Sequence, residues 1–244
     1  MRRIHVIGIG AGDPDYVTAQ AVRALNDTEV FFAMDKGEAK SDLVELRREI
    51  CRRFITRPDY RFVELPDPKR AADAEYTRAV AEWHTARARM WAQAIETELG
   101  PDGVGAFLAW GDPSLYDSTL RILDQVAEHV EFDYDVIPGI TAVQALTARH
   151  RIPLNDVGEP VLITTGRQLR GSGLAGSAVV MLDGECSFLG CPPQTRIWWG
   201  AYLGTPDEIL VAGTVGEVGN QIASVRADAR ARHGWIMDIY LLRS

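Results

Sequence analysis

The chain has 244 residues, 46% apolar and 25% charged, an ordinary globular composition with enough material for two compact lobes. Its formal net charge of −8, from 26 Lys and Arg against 34 Asp and Glu, argues against a protein that works by neutralising a nucleic-acid backbone. Cys51, Cys186 and Cys191 lack the paired spacing of a zinc site, so no metal site is read and a reducing cytoplasm is expected.

Met1-Arg2-Arg3 passes straight into a β-like run, and no segment approaches the ~20 apolar residues of a membrane span. The expectation is a protein that is neither exported nor membrane-bound. In the first half, short β-rich runs at 4–9, 30–33, 62–65, 105–110 and 134–137 alternate with helical patterns near 17–27, 41–53, 72–99 and 115–129. That alternation predicts a mainly parallel sheet with crossover helices. On the third helix Tyr76, Val80, Trp83, Arg87, Met90 and Ala94 recur at spacings of three and four, which predicts one face kept largely apolar and aromatic.

After residues 151–153 Gly and Pro become frequent, and runs at 161–165, 178–182, 197–202, 209–214 and 236–242 read as strands with little helix between them. A second lobe on a mixed or antiparallel sheet is predicted. Pro153, Asn155, Gly158 and Pro160 interrupt regular structure, so the domains are taken as 1–152 and 153–244.

Three segments combine a strand end with Gly and Pro. In the first, Gly8-Ile9-Gly10-Ala11-Gly12-Asp13-Pro14, a dinucleotide pattern GxGxxG would need glycine where Asp13 stands, and that carboxylate would repel phosphates. In the second, Trp110 to Ser118, Gly111 exposes backbone, Pro113 fixes the turn, and Ser114 suits the cap of a helix beginning near Leu115. The third, Pro138-Gly139-Ile140-Thr141-Ala142, offers Thr141 as a helix cap. Each alone reads as a structural turn; together they suggest a composite pocket at the sheet's carboxyl edge.

These segments, with Thr18, Val179 to Gly184 and Leu203-Gly204-Thr205, stand in the order and spacing of the signatures of the tetrapyrrole methylases, which the chain resembles over nearly its whole length. The resemblance implies two α/β lobes, with a cleft for S-adenosyl-L-methionine between them and an open trough for a tetrapyrrole substrate. The implied cofactor residues are Ala11, Trp110, Gly111, Asp112, Leu115, Thr141, Ala142, Asp183 and Gly204. Ala11 stands where proline is usual and Asp183 where methionine often packs on adenine; a buried carboxylate there must accept hydrogen bonds.

Within the family, Trp110 to Ser118, Trp199 to Glu208, Asp35-Lys36 and the helix bearing Tyr76 and Trp83-His84 resemble a branch that methylates C1 of precorrin-5 and releases an acyl unit as acetate. On that reading Asp35 is the candidate base for acyl loss and Lys36 a partner for a substrate carboxylate, though alone the pair reads as a solvated turn. Trp83, His84 and Tyr116 are candidates for lining the trough, with core packing the alternative for Trp83 and a surface place for His84. A homodimer is expected from the family. Competing readings are methylation at C11, C17 or C20, modification of a macromolecule, a non-catalytic binding module, or a NAD-binding protein.

Overall fold

The computed structural model describes residues 1–35, 41–68 and 76–244, of which 35, 41–44 and 76–80 are described by backbone alone. Two compact units result, one of Met1–Gly10 with Pro14–Ile140 and one of Ala11–Asp13 with Thr141–Ser244.

The first unit carries β1 (Arg3–Gly8), α1 (Ala19–Asp27), β2 (Val30–Asp35), α2 (Ser41–Phe54), β3 (Arg61–Pro66), α3 (Tyr76–Glu98), β4 (Val104–Ala109), α4 (Thr119–Val126) and β5 (Asp133–Ile137). Its strands form one all-parallel sheet in the order β3-β2-β4-β1-β5. β1 and β4 are covered on both faces, which is why they read as unbroken apolar runs. On one face, α3 and α4 bury Trp91, Ile95, Ile122 and Leu123, with the Trp91 ring stacked on Phe107 at 4.1 Å. On the other face α1 and α2 bury Leu25 and Ile50 against Phe31 and Ile137. The helices that follow the adjacent strands β1 and β4 therefore leave the sheet on opposite faces. That is the arrangement at which open α/β sheets bind ligands beyond the carboxyl ends of their strands.

Two details depart from the expected pattern. The buried residues of α3 are His84, Arg87, Ala88, Trp91, Ala92, Ala94 and Ile95; Arg87 and Ala94 of the expected face are among them, whereas Trp83 and Met90 are only half-buried and the polar His84 turns inward beside Arg87. The helix expected near Leu115 begins only at Thr119, since Asp117 Oδ1 accepts the Thr119 N–H at 2.7 Å and residues 110–118 are spent on a loop.

The second unit carries α5 (Ala142–His150), β6 (Val161–Thr165), α6 (Gly166–Ser172), β7 (Ser177–Met181), β8 (Arg196–Ala201), β9 (Ile209–Thr214), α7 (Val215–His233) and β10 (Asp238–Arg243). The sheet runs β6-β7-β10-β8-β9, parallel only between β6 and β7, and is thus mixed as expected. The expectation of little helix is corrected by α7, with Thr214 and Glu217 forming its capping box and Gly234 its left-handed terminus. Its stripe of Val215, Gly219, Ile222, Arg226 and Ala229 contains a buried arginine and a glycine, so apolar periodicity could not announce it. The units part at Ile140 and Thr141, ahead of the expected 152, because α5 packs on the second sheet. His150 Nε2 lies 3.0 Å from the Trp199 carbonyl and Arg149 pairs with Glu208.

Inside this unit Asp183 is buried and spends both carboxylate oxygens on protein donors. Oδ1 accepts from Ser187 Oγ (2.8 Å) and Glu185 N (3.1 Å), and Oδ2 from Ser187 N and Tyr240 Oη, both at 2.6 Å. Arg226 ties the same loop down by donating to the Asp183 carbonyl at 2.7 Å while pairing with buried Asp238 at 2.8 Å. Burial opposes ionisation of Asp183, but the bonds from Tyr240, Ser187 and Glu185 outweigh it and hold its carboxyl below the usual range. A depressed folded pKa gives stability that is present above the ordinary carboxylate value and is lost as pH falls through the depressed value. Asp183→Asn is therefore expected to cost about 3 kcal/mol at neutral pH and to flatten the acid limb of a urea-unfolding series. An acid limb as steep as that of the parent would show that the carboxylate does not carry this role.

Candidate functional site

Three backbones meet at the carboxyl edge of the first sheet. Gly8 ends β1, Gly111 follows β4 and Gly139 follows β5, and these strands are neighbours in the order β4-β1-β5. A Cβ on Gly139 would lie 2.0 Å from the Gly111 carbonyl oxygen, and one on Gly8 would lie 2.6 Å from the Gly139 nitrogen. No side chain fits at either position. Gly10 and Gly111 exchange backbone hydrogen bonds, Gly111 N to Gly10 O at 2.8 Å and Gly10 N to Gly111 O at 3.3 Å, closing a small antiparallel bridge between the β1 and β4 loops. Both glycines have positive φ, +84° and +67°, which an L side chain adopts only with strain.

Asp112 fastens this meeting point. Its Oδ2 accepts the Gly139 N–H at 2.9 Å, and its Oδ1 accepts from the Ser114 N–H at 2.8 Å and the Ser114 hydroxyl. Burial disfavours the charged form, yet the bonds from Ser114 and Gly139 prevail and the carboxyl titrates below its ordinary range. Ser114, expected as a helix cap, thus serves the loop instead. Leu115 N bonds the Asp112 carbonyl at 3.2 Å, and Trp110 packs half-buried beside the α1 and α2 core. From beneath, Arg47 on α2 donates to the Leu108 carbonyl at 3.2 Å and feels the charge of Asp117. Tyr116 is exposed with φ 51°, a left-handed conformation that costs a non-glycine residue on the order of 1 kcal/mol. Asp35 closes β2 at the same edge, while Lys36 lies outside the described residues.

In the second unit the segment Ala11–Asp13 lies against the turn after β8. A Cβ on Gly12 would stand 2.2 Å from the Leu203 carbonyl oxygen and 3.1 Å from Thr205 Cγ2. Tyr202, at φ 49°, and Gly204, at φ 75°, shape that turn, and Gly204 donates its N–H to Glu208 Oε2 at 2.9 Å. Thr141 caps α5, its Oγ accepting the Val143 N–H at 3.1 Å, with Gln144 completing the capping box and Ala142 opening the helix. The Asp183 carboxylate is fully engaged within the protein, so any contact it makes with a ligand falls to its main chain.

Sequence reasoning named the segment 179–184 but did not single out Leu182. It follows β7 with φ 53° and is 67% exposed, a large apolar side chain held out by a strained backbone. The available signal was an apolar residue placed between a buried strand and Asp183-Gly184. Trp83, half-buried, donates its indole N–H to the Pro68 carbonyl at 2.9 Å and lies under the Arg87 guanidinium at 3.8 Å, whereas its neighbour His84 is buried. Among the described residues no helix is long and apolar enough to cross a membrane.

Comparison with known proteins gives a consistent picture. The family model described as tetrapyrrole (corrin/porphyrin) methylases matches residues 3–219. A precorrin-6A synthase [deacetylating] from Sinorhizobium sp is 53% identical over 249 aligned residues, covering 100% of this chain and 95% of that protein. The crystal structure of a cobalamin synthesis related protein (CobF) from Corynebacterium diphtheriae is similar over 100% of this chain and 98% of its own, at 43% identity and a TM-score of 0.88. A uroporphyrin-III C-methyltransferase from Thermus thermophilus, solved with S-adenosylhomocysteine, shares the fold at 18% identity and a TM-score of 0.63, over 99% of this chain and 92% of its own.

The glycine contacts generate a direct test. Gly139→Ala is expected to lower stability by about 3 kcal/mol through overpacking against the Gly111 carbonyl, whereas Gly171→Ala, at an open position, is expected to be close to neutral. Equal midpoints for the two variants in thermal unfolding would contradict the packing described.

Proposed function

Because the chain belongs to the tetrapyrrole (corrin/porphyrin) methylase family, we propose that this methyltransferase uses S-adenosyl-L-methionine to methylate C1 of precorrin-5, with loss of an acyl unit as acetate. The observation that carries the reading is the full-length 53% identity to a precorrin-6A synthase [deacetylating]. The cofactor residues proposed are Ala11, Trp110, Gly111, Asp112, Leu115, Thr141, Ala142, Asp183 through its main chain, and Gly204. Action in the cytoplasm and assembly as a homodimer belong to the same reading.

The charge pattern supports a cationic ligand over a diphosphate. Asp112 is held ionised beside the Gly10–Gly111 bridge, and Asp13 stands where a dinucleotide loop would need glycine. A carboxylate beside that bridge attracts a sulfonium and repels pyrophosphate. The exposed Leu182 supplies an apolar surface suited to a flat base.

When bound, S-adenosyl-L-methionine supplies an electrophilic methyl group on a positively charged sulfur. The chain's own task is then alignment: loops pinned by glycine packing and by Asp112 move little, so the reacting atoms are held in line at low entropic cost. Acyl loss needs a water whose oxygen attacks the acyl carbon as the carbon–carbon bond to the macrocycle breaks, so that acetate leaves. Asp35, at the end of β2, is the proposed base for that water, and Lys36 the proposed partner of a substrate carboxylate.

Isothermal titration is expected to give micromolar binding of S-adenosylhomocysteine and none of NAD. With labelled methyl donor, precorrin-5 should yield a methylated macrocycle and acetate in equal amounts. NAD binding without S-adenosylhomocysteine binding would overturn the cofactor assignment, and methylation without acetate would assign another carbon.

A further inference from the structure

The first half of α3 carries an anomaly that the core does not explain. The helix is about 35 Å long, whereas each six-residue strand spans about 20 Å. Its end is fixed at the sheet's amino edge, where Arg61 Nη2 bonds the Glu98 carbonyl at 2.9 Å and Arg2 Nε the Leu99 carbonyl at 3.1 Å. Its opening turns therefore rise past the carboxyl edge, on the side from which α4 starts. There the inward stripe turns polar at His84 and Arg87.

His84 is only 9% exposed, and among the described residues its Nε2 has no hydrogen-bond partner. A buried polar atom left unmet costs about 1–3 kcal/mol, so a partner is wanted. Arg87 is committed: it grips Asp67 with two bonds, at 2.9 and 2.7 Å, and stacks on Trp83. Arg121, in the first turn of α4, is not. Among the described residues its one hydrogen bond goes to the Asp117 carbonyl, at 3.2 Å, and it forms no ion pair. The two helices are joined by a Thr85–Gln125 hydrogen bond at 3.3 Å, its Thr85 next in sequence to His84 and its Gln125 one turn on from Arg121. Burial first, then the charges of Arg87 and Arg121, hold the imidazole neutral, a form that can still donate one N–H.

We propose that His84 and Arg121 form a carboxylate subsite, in which the His84 Nε2–H and the Arg121 guanidinium together hold one acidic side chain of the macrocycle. Arg87, locked by Asp67, positions the His84 turn without binding the ligand. This rests on the tetrapyrrole reading above and adds to it the chemical group that α3 and α4 recognise.

The probe is a tetrapyrrole octa-acid, uroporphyrin III, titrated against the full chain with tryptophan quenching as readout, beside S-adenosylhomocysteine titrations. Each of Arg121→Gln and His84→Gln is expected to weaken the porphyrin about tenfold, the equivalent of one charge-assisted hydrogen bond. Arg121→Lys should recover most of the loss, and S-adenosylhomocysteine affinity should not change. Because Arg121 is exposed, its variants test the idea even if His84→Gln folds poorly. Porphyrin affinity unchanged in Arg121→Gln would overturn the subsite. Arg121-dependent porphyrin binding in a chain that fails to methylate precorrin-5 would instead keep the subsite and remove the assigned reaction.

Discussion

The Gly111 carbonyl occupies the space that a side chain on Gly139 would need, and the rest of the site follows from that exclusion. Strands β4, β1 and β5 end side by side, and their following loops would diverge if each carried ordinary side chains. Three glycines let the loops close to backbone contact, and Asp112 then bridges two of them through the Gly139 N–H. Loops held this way are presented at the point where helices leave the sheet on opposite faces. The scaffold is made by the apolar strands, and the precision by residues with almost no side chain.

The same logic accounts for what the sequence revealed and what it concealed. The first unit's strands were legible because β1 and β4 are covered on both sides and read as apolar runs between glycine-rich turns. The three motif loops were legible because Gly, Pro and Asp are the residues such turns require. α7 was hidden, since its buried face includes Arg226, whose partner Asp238 lies in the last strand. His84 was half legible for a related reason: the sequence left it between a trough contact and a surface place, and its burial shows only once its neighbours are known. Leu182 carried only the signal of an apolar residue ahead of Asp183-Gly184, because its exposure follows from a left-handed backbone that sequence periodicity does not encode.

Charge adds a second layer. An overall net charge of −8 suits neither an acidic macrocycle nor a nucleic acid, and local arrangement resolves the apparent conflict. Carboxylates such as Asp112 and Asp183 are consumed by internal hydrogen bonds at the strand ends, while Arg121 stands unpaired among the described residues. The Asp183 network shows how an unusual residue is tolerated: four protein donors satisfy a carboxylate that an open pocket would otherwise have to solvate.

The central claim is that glycine-packed strand ends form the seat of the methyl donor. Amide hydrogen exchange, followed with and without saturating S-adenosylhomocysteine, addresses it most directly. The account predicts slowed exchange concentrated at residues 8–12, 110–118 and 138–142. Protection confined to other segments, with these three unchanged, would contradict it.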